Sequence, residues 1–261
     1  MTEAKWRLLY LDAVDPFEMS SYEEVFSKAR SLNLIPNSLI ALRVSKPTAA
    51  VGQSASIKYW VNQKFCEEND VTIIRGFRQP AGISNYFGSE NLLCWLVRDR
   101  LGSVDKWSIS RFKKCVVHTL QILGLESTAK GTRNDVQVGG KKVSSIGIFS
   151  NSKRDIWIYT LDLFLGFNFE IAEQATVSKH KEPMHEKMST IQVEAGRNIS
   201  FEELIDALKE AFKEEFNVEF DISYELSDAE NEIVDSLREK YTSKSWIELG
   251  KWSQIKEYWR H

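Results

Sequence analysis

Gly131-Thr-Arg-Asn-Asp-Val-Gln-Val-Gly-Gly-Lys-Lys-Val-Ser-Ser-Ile-Gly-Ile148 is the stretch of this sequence that says most about its fold, because it reads as two short β runs around a glycine turn. The consecutive glycines Gly139 and Gly140 permit the positive φ angles that a tight turn needs. Alternation then predicts one face of the outgoing strand that carries Lys142, Ser144, Ile146 and Ile148. A lysine fixed at the start of a strand, beside small residues, can meet an anion that approaches the backbone closely. We therefore predict a functional site at Lys142.

The composition describes an ordinary globular protein with a substantial core, since 43% of the 261 residues are hydrophobic and 27% are charged. The net charge of −3 predicts no general polyanion-binding surface, and hence no nucleic-acid partner. No apolar run approaches membrane-spanning length, and the first residues lack the apolar segment of a signal peptide. Three widely spaced cysteines, without metal-ligand spacing, favour reduced and buried thiols. We expect a cytoplasmic protein with no membrane partner.

Hydrophobic periodicity predicts mixed strands with interspersed helices, which favours an α+β fold with mixed, largely antiparallel sheets and flanking helices. Capping boxes predict helix starts at Ser20, Ser200 and Ser227. A polar segment at 176–188 is predicted to be a mobile loop. We expect one domain over 1–261, with a core at 1–190 and a closing helix–strand–helix unit at 195–261 packed on it. The predicted strands cover 6–11, 39–44, 50–52, 71–75, 92–97, 156–165 and 218–224, and a further helix covers 108–123.

The hairpin resembles the lysine motif of the lipoate–protein ligase and octanoyltransferase superfamily, which also includes the biotin ligases. The resemblance rests on Asn134-Asp135-Val, a glycine turn and Lys142-Val-Ser-Ser-Ile-Gly147. Further along, Lys240-Tyr-Thr-Ser-Lys-Ser-Trp246 is similar to a closing element of the short archaeal-type ligases. Near the start, Leu42-Arg43, Pro47 and Val51-Gly52-Gln53 resemble the strand and turn that open the acyl-binding cleft. The resemblance spans most of the chain and implies a class II synthetase-like catalytic domain.

The family's Gly-rich loop is altered in this sequence, which has Arg75-Gly-Phe-Arg-Gln-Pro-Ala-Gly-Ile-Ser-Asn-Tyr86 in its place. Arg75 fits the first arginine of the family pattern, Gly82 takes the place of an alanine, and Asn85 takes that of a histidine. Three glycines are replaced, and Pro80 removes a backbone donor from a loop that supplies N–H groups to phosphate. Arg78 is a candidate to restore the positive charge of the second arginine.

The resemblance implies an enzyme that activates lipoate or octanoate with ATP and Mg²⁺ and transfers the acyl group to a lysine. Lys142 would draw the carboxylate and the α-phosphate together. The acceptor implied is a lipoyl domain or a glycine-cleavage H-type protein, and the short forms work with a separate accessory subunit. The resemblance also implies further binding residues. Arg75 and Arg78 would bind phosphate or carboxylate, and Asn134 and Asp135 would bind the nucleotide, with Asp135 as a ligand of Mg²⁺. The residues implied around the acyl-adenylate are Gly82, Asn85, Ser144 and Gly147.

Three interpretations stay open at this point. The first is an ATP-dependent lipoate–protein ligase, and the second is a catalytically inactive homologue that binds a lipoyl domain or a partner subunit. The third is an ATP-independent lipoyl or octanoyl transferase. Retention of Lys142 and Asp135 favours the first and third, and the altered loop favours the second. The stretch 171–176 lacks the nucleophilic cysteine of the octanoyltransferases, which counts against the third.

Overall fold

The computed structural model describes residues 4–77, 84–99, 109–129, 135–151, 156–177 and 182–252. Within them the strands are β1 (Ala4–Val14), β2 (Ser38–Val44), β3 (Thr48–Val51), β4 (Thr72–Arg75), β5 (Ser84–Phe87), β6 (Leu92–Asp99), β7 (Ser127–Ala129), β8 (Val136–Val138), β9 (Lys141–Lys142), β10 (Ser144–Asn151), β11 (Ile156–Leu163) and β12 (Val218–Ser223). The helices are α1 (Pro16–Ser31), α2 (Ile57–Trp60), α3 (Gln63–Glu68), α4 (Ile109–Ile122), α5 (Phe169–Ala175), α6 (Met184–Lys187), α7 (Ile191–Ala195), α8 (Phe201–Phe216), α9 (Asp228–Thr242) and α10 (Lys244–Leu249).

A six-stranded mixed sheet in the order β10-β11-β6-β2-β1-β12 forms the centre of the fold. The strand β1 runs parallel to both β2 and β12, and the other pairs in this sheet are antiparallel. Two three-stranded sheets, β4-β3-β5 and β7-β8-β9, lie beside it. The predicted α+β fold with mixed, largely antiparallel sheets and flanking helices is confirmed. None of the helices among the described residues is both long and apolar enough to cross a membrane.

Helices cover both faces of the central sheet. Side chains of β6 alternate between two cores, with Leu92, Cys94 and Leu96 in the core that includes α4 and α8. Leu93, Trp95 and Val97 point into the other core, which includes α1 and α9. A strand buried on both faces has no polar side, which explains why 92–97 is a continuous apolar run.

Two of the three predicted capping boxes begin helices. The hydroxyls of Ser200 and Ser227 accept hydrogen bonds from the backbone N–H groups of Glu203 and Glu230. The predicted start at Ser20 is wrong, because α1 begins one turn earlier at Pro16. There Asp15 caps the helix by accepting from two backbone N–H groups, and a proline at the first position suits its fixed φ.

The predicted closing unit at 195–261 is built into the central sheet. Its strand β12 pairs in parallel with β1, and its helices α9 and α10 pack on α1 and β4. Residues 253–261 lie outside the described part of the chain. Two other segments hold elements that the sequence did not indicate: β5 lies within the irregular stretch 76–90, and α6 lies within 176–188.

An ion pair ties this unit to the start of the chain. The carboxylate of Glu230, which is completely buried, accepts hydrogen bonds of 2.8 and 2.5 Å from the guanidinium of Arg7. Burial alone would raise the pKa of Glu230. The hydrogen bonds and charge of Arg7, together with contacts from Ser227, outweigh burial and lower that pKa below its usual value.

We expect Glu230→Gln to lower the free energy of unfolding by about 3 kcal/mol near neutral pH, because it leaves the Arg7 charge poorly compensated. Urea unfolding checks this. A lowered pKa stabilises the fold above the carboxyl's unfolded pKa, so the difference between variant and wild type should shrink as pH falls below about 4. The control in the same helix is Asp235→Asn, which removes the exposed pair with Arg238 and should cost less than about 1 kcal/mol. Equal losses from the two substitutions would contradict the prediction.

Candidate functional site

The hairpin around Lys142 has the predicted turn, in which Gly139 and Gly140 adopt φ angles of 56° and 82°. Lys142 pairs with Gln137 across this hairpin, and its carbonyl accepts a hydrogen bond of 2.9 Å from the N–H of Ser189. Met188, the last residue of the segment predicted as a mobile loop, forms a parallel bridge with Lys142 on the other side of β9, while 178–181 lie outside the described residues. The backbone of Lys142 is held from two directions.

The strand does not continue straight through the hairpin. Val143 donates a hydrogen bond to Val136 and accepts one from Phe164, and the chain then enters the central sheet as β10. The predicted alternation is interrupted here. Ser144 is completely buried and accepts a hydrogen bond of 3.2 Å from the N–H of Val136, away from the cavity described next. Ser144, which is predicted to lie at the site, is thus not among the residues that line the cavity, whereas Ser145 is.

A cavity of about 550 Å³ opens between the central sheet, α1 and the sheet β4-β3-β5. Lys142 and the predicted site residues Asn85 and Gly147 line it. Its walls are mostly apolar, which suits a hydrocarbon chain, and its size is typical of small-molecule sites. The other lining residues are Met19, Ser20, Glu23, Ile74, Gly76, Phe87, Leu93, Cys94, Trp95, Ser145, Ile146, Ile148, Thr160, Leu161 and Asp162.

Asp135 fixes the side chain of Lys142. Its carboxylate lies 3.0 Å from the Lys142 ammonium, and the two side chains are only 19% and 26% exposed. A half-buried ion pair of this kind holds the ammonium in one place beside the cavity. Asn134, the other member of the predicted pair, lies outside the described residues. Within the described residues, no group of three or more His, Cys, Asp and Glu side chains could hold a metal ion.

Sequence reasoning missed Asp162, whose carboxyl lines the cavity together with that of Glu23. Its Cα pairs with those of Ser145 in β10 and Leu93 in β6, and all three residues line the cavity. Burial raises the pKa of Asp162 to about 8, although the charge of Lys142 and the Asn91 amide oppose the shift. The sequence did hold a signal, because Asp162 continues the inward-facing positions of β11 that begin with Ile156 and Ile158.

The structure does not bring Arg75 to the cavity. Its buried guanidinium donates hydrogen bonds to five carbonyls, three in the turn after β3 and two in α10. Burial lowers the pKa of this guanidinium. The predicted contact between Arg75 and a phosphate or carboxylate is thus replaced by contacts with the protein's own backbone. Arg78 and Gly82 lie outside the described residues.

All three cysteines are free and buried, as predicted. Cys94 lines the cavity, but burial and the nearby Asp162 carboxyl raise the pKa of its thiol far above the usual value. Burial also raises the pKa of Cys66 to about 11 and that of Cys115 well above its ordinary range. None of these thiols supplies a thiolate near neutral pH, so none has the character of a nucleophile.

Sequence comparison finds relatives for most of the chain. The family model of the lipoyl protein ligase A/B catalytic domain matches residues 15–213. Lipoate–protein ligase 2 of Staphylococcus aureus (strain Mu50 / ATCC 700699) is 26% identical over 213 residues, which cover 77% of this chain and 61% of that protein. The lipoate–protein ligase LplJ of Bacillus subtilis (strain 168) is 26% identical over 111 residues, or 42% of this chain and 32% of that protein. The chain thus spans less than two thirds of the length of either relative.

Solved structures share the fold over nearly the whole chain. The bipartite lipoate protein ligase of Thermoplasma acidophilum, described with its E2 lipoyl domain, superposes with a TM-score of 0.80, covering 97% of this chain and 99% of that one at 17% identity. A lipoate-protein ligase A bound with ATP superposes with a TM-score of 0.79, covering 95% and 99% of the two chains at 17% identity. The family model matches most of the sequence, and the chain therefore belongs to the lipoyl protein ligase A/B catalytic domain family.

Proposed function

We propose that this chain is the catalytic part of an ATP-dependent lipoate–protein ligase. It activates lipoate or octanoate with ATP to an acyl-adenylate and transfers the acyl group to a lysine of a lipoyl domain. The observation that carries the proposal is the position of Lys142, whose ammonium is held 3.0 Å from Asp135 at a largely apolar cavity of about 550 Å³. An apolar cavity with one fixed cation suits a fatty acid whose carboxylate meets the lysine.

In the first step, a carboxylate oxygen of the fatty acid attacks the α-phosphorus of ATP and pyrophosphate leaves. Both reactants are anions that repel each other in water, and Lys142 offsets that repulsion by binding both in a partly dry site. In the second step, the amine of the acceptor lysine attacks the acyl carbon. The amide forms, AMP leaves with the bonding electrons, and the nitrogen, which attacks as the neutral amine, loses one of its two protons.

Asp135 is the candidate ligand for Mg²⁺. A magnesium ion that arrives with ATP needs few protein ligands, because phosphate oxygens and water fill most of its octahedral shell. One carboxylate beside Lys142 fits this requirement, with Asn134 as a second oxygen donor. The ion would supply charge neutralisation for the phosphates.

The acceptor is proposed from the relatives. The archaeal bipartite ligase that shares this fold is described with its E2 lipoyl domain. We extend that partner, or a glycine-cleavage H-type protein, to this chain, together with a separate accessory subunit. The free thiols agree with a reducing compartment, so we place the reaction in the cytoplasm.

One observation favours the second interpretation, a catalytically inactive homologue. Arg75 hydrogen-bonds to backbone carbonyls, so a cation implied by the resemblance is not offered to phosphate. An inactive protein of this fold would still bind a lipoyl domain or a partner subunit. The cysteine-dependent transferase has less support, because burial raises the pKa values of all three thiols.

We expect Lys142→Ala to reduce acyl-adenylate formation at least about 100-fold, because it removes the cation that both reacting anions need. Two assays check this: ATP–pyrophosphate exchange with octanoate, and mass spectrometry of a lipoyl domain incubated with the chain and its accessory subunit. The matched control is Lys141→Ala, since the Lys141 ammonium points to the carbonyl of His185 in the neighbouring segment. That variant should stay within about threefold of wild type. A wild-type protein that binds neither ATP nor octanoate would establish the inactive homologue instead.

Arg75→Met separates a structural role from phosphate binding. Removal of a guanidinium that serves five buried carbonyls should lower the free energy of unfolding by about 3 kcal/mol. Urea unfolding measures this loss, with the exposed Arg238→Met as control. The KM for ATP of the folded Arg75→Met protein should stay within about threefold of wild type. Unchanged stability with a KM raised more than about tenfold would assign Arg75 to the nucleotide after all.

A further inference from the structure

Asp162 lines the same cavity as Lys142, and the charge of that lysine acts on its carboxyl. Three neighbouring strands place Ser145, Asp162 and Leu93 side by side, and the next row holds Gly147, Thr160 and Trp95. Every member of both rows lines the cavity. The positive charge of Lys142 acts on the Asp162 carboxyl and favours its ionised form, so the row with Asp162 is the one near the lysine. A group bound by Lys142 therefore lies near the Asp162 carboxyl.

The polar atoms around Asp162 lack partners within the described part of the protein. The buried Oδ1 of Asp162 makes no hydrogen bond there, and neither do the amide oxygen and nitrogen of Asn91. Asn91 is completely buried, and its amide lies near enough to the Asp162 carboxyl to lower the pKa of that group, although the two side chains do not meet in good hydrogen-bonding geometry. Buried polar atoms without partners are rare in folded proteins and are costly to keep. Asp162 lines the cavity, so a bound molecule can supply the hydrogen bond that its carboxyl lacks.

The charge of the site bears on whether a bound molecule contacts the neutral or the ionised carboxyl of Asp162. Asp135 already balances Lys142, so an ionised Asp162 would add a negative charge near the lysine and would repel a carboxylate bound there. Burial keeps the carboxyl neutral instead, because it raises the pKa of Asp162 to about 8. The titratable groups of the packed elements that share this cavity are Lys142 on β9, Glu23 on α1 and the Cys94 thiol on β6. A neutral carboxyl can donate a hydrogen bond, whereas a carboxylate can only accept one.

We propose that Asp162 binds the carboxyl group of the acyl substrate as a neutral acid, donating a hydrogen bond beside the ion pair that the same group makes with Lys142. This inference rests on the proposed function, in that the acyl substrate is the one named there. The proposal makes Asp162 a specificity residue, which distinguishes a bound fatty acid from other ligands of the cavity. Asp162 recognises the carboxylate oxygen, and the apolar walls recognise the chain.

The proposal has a direct consequence for pH. The donor is present below the pKa of Asp162 and is lost as pH rises through about 8, where the new negative charge also opposes the substrate. For one ionisation near that value, the affinity for a fatty acid falls about tenfold between about pH 7 and about pH 9. The carboxylate of the fatty acid stays ionised throughout this range, so the change comes from the protein.

Calorimetric titration of the full chain with octanoate tests the proposal near pH 7 and near pH 9, with three variants. Asp162→Asn keeps a neutral donor and should bind within about threefold of wild type near pH 7, with no loss near pH 9. Asp162→Leu removes the donor and should bind about tenfold or more weakly near pH 7, also without pH dependence. Thr160→Val, one row further along β11, is the matched control and should keep the wild-type pH dependence. Thermal unfolding of each variant confirms that it is folded.

Any of three outcomes would overturn the role of Asp162. The first is wild-type binding of octanoate that does not change between the two pH values. The second is an Asp162→Asn protein that is folded but binds as weakly as Asp162→Leu. The third is an Asp162→Asn protein that binds normally and no longer transfers the acyl group, as loss of a base would predict. These results differ from failure of the proposed function, in which the wild-type chain would bind no octanoate at either pH.

Discussion

The peptide of Val143 hydrogen-bonds to two sheets at once, and Lys142 is fixed by that junction. Its N–H donates to Val136 in the small sheet, and its carbonyl accepts from Phe164 at the end of β11 in the central sheet. A lysine on one strand alone could slide with that strand. Here the small sheet cannot shift against the central sheet without breaking both bonds. In the proposed reaction Lys142 meets two anions, and a cation with that task needs such a rigid base, because small displacements weaken charge stabilisation in the transition state.

Lys240 and Arg75 show how the same fold uses cations for structure. The Lys240 ammonium lies 2.6 Å from the Glu24 carboxylate and within 4.7 Å of the ring centres of Phe77 and Tyr241. Burial lowers the pKa of Lys240, and Glu24 opposes that shift. Arg75 is surrounded by carbonyls. Lys240 is enclosed by one carboxylate and aromatic rings and Arg75 by five carbonyls, whereas Lys142 has one carboxylate and an adjoining cavity. This contrast in partners, more than the residue type, marks Lys142 as the cation available to a ligand.

The closing stretch Lys240–Trp246 supports the segment that carries the altered loop. The indole of Trp246 donates a hydrogen bond of 3.1 Å to the carbonyl of Arg75, and the side chain of Arg75 returns two bonds to the carbonyls of Ile247 and Glu248. Lys240 lies over Phe77, the last described residue before the gap at 78–83. The residues that carry the resemblance at this end of the chain thus act as a brace. They hold the start of the loop through contacts between positions more than 170 residues apart.

Local patterns predicted what is local, namely the buried strand at 92–97, the helix at 109–122 and the turn at Gly139. These patterns gave the wrong position for side chains whose placement depends on residues far away in the sequence. Strand alternation predicts that Ser144 shares a face with Lys142, but only if the strand is continuous. The strand is interrupted at Val143, whose carbonyl accepts a hydrogen bond from the distant Phe164. Arg75 was assigned to phosphate because its carbonyl partners in α10 were not foreseeable. The sequence could have indicated Asp162, because burying a carboxyl at an inward position of a strand costs free energy unless the group has a partner or a function. The sequence alone does not give the pairing register of β10 and β11. That register sets Asp162 opposite Ser145, and so brings its carboxyl near Lys142.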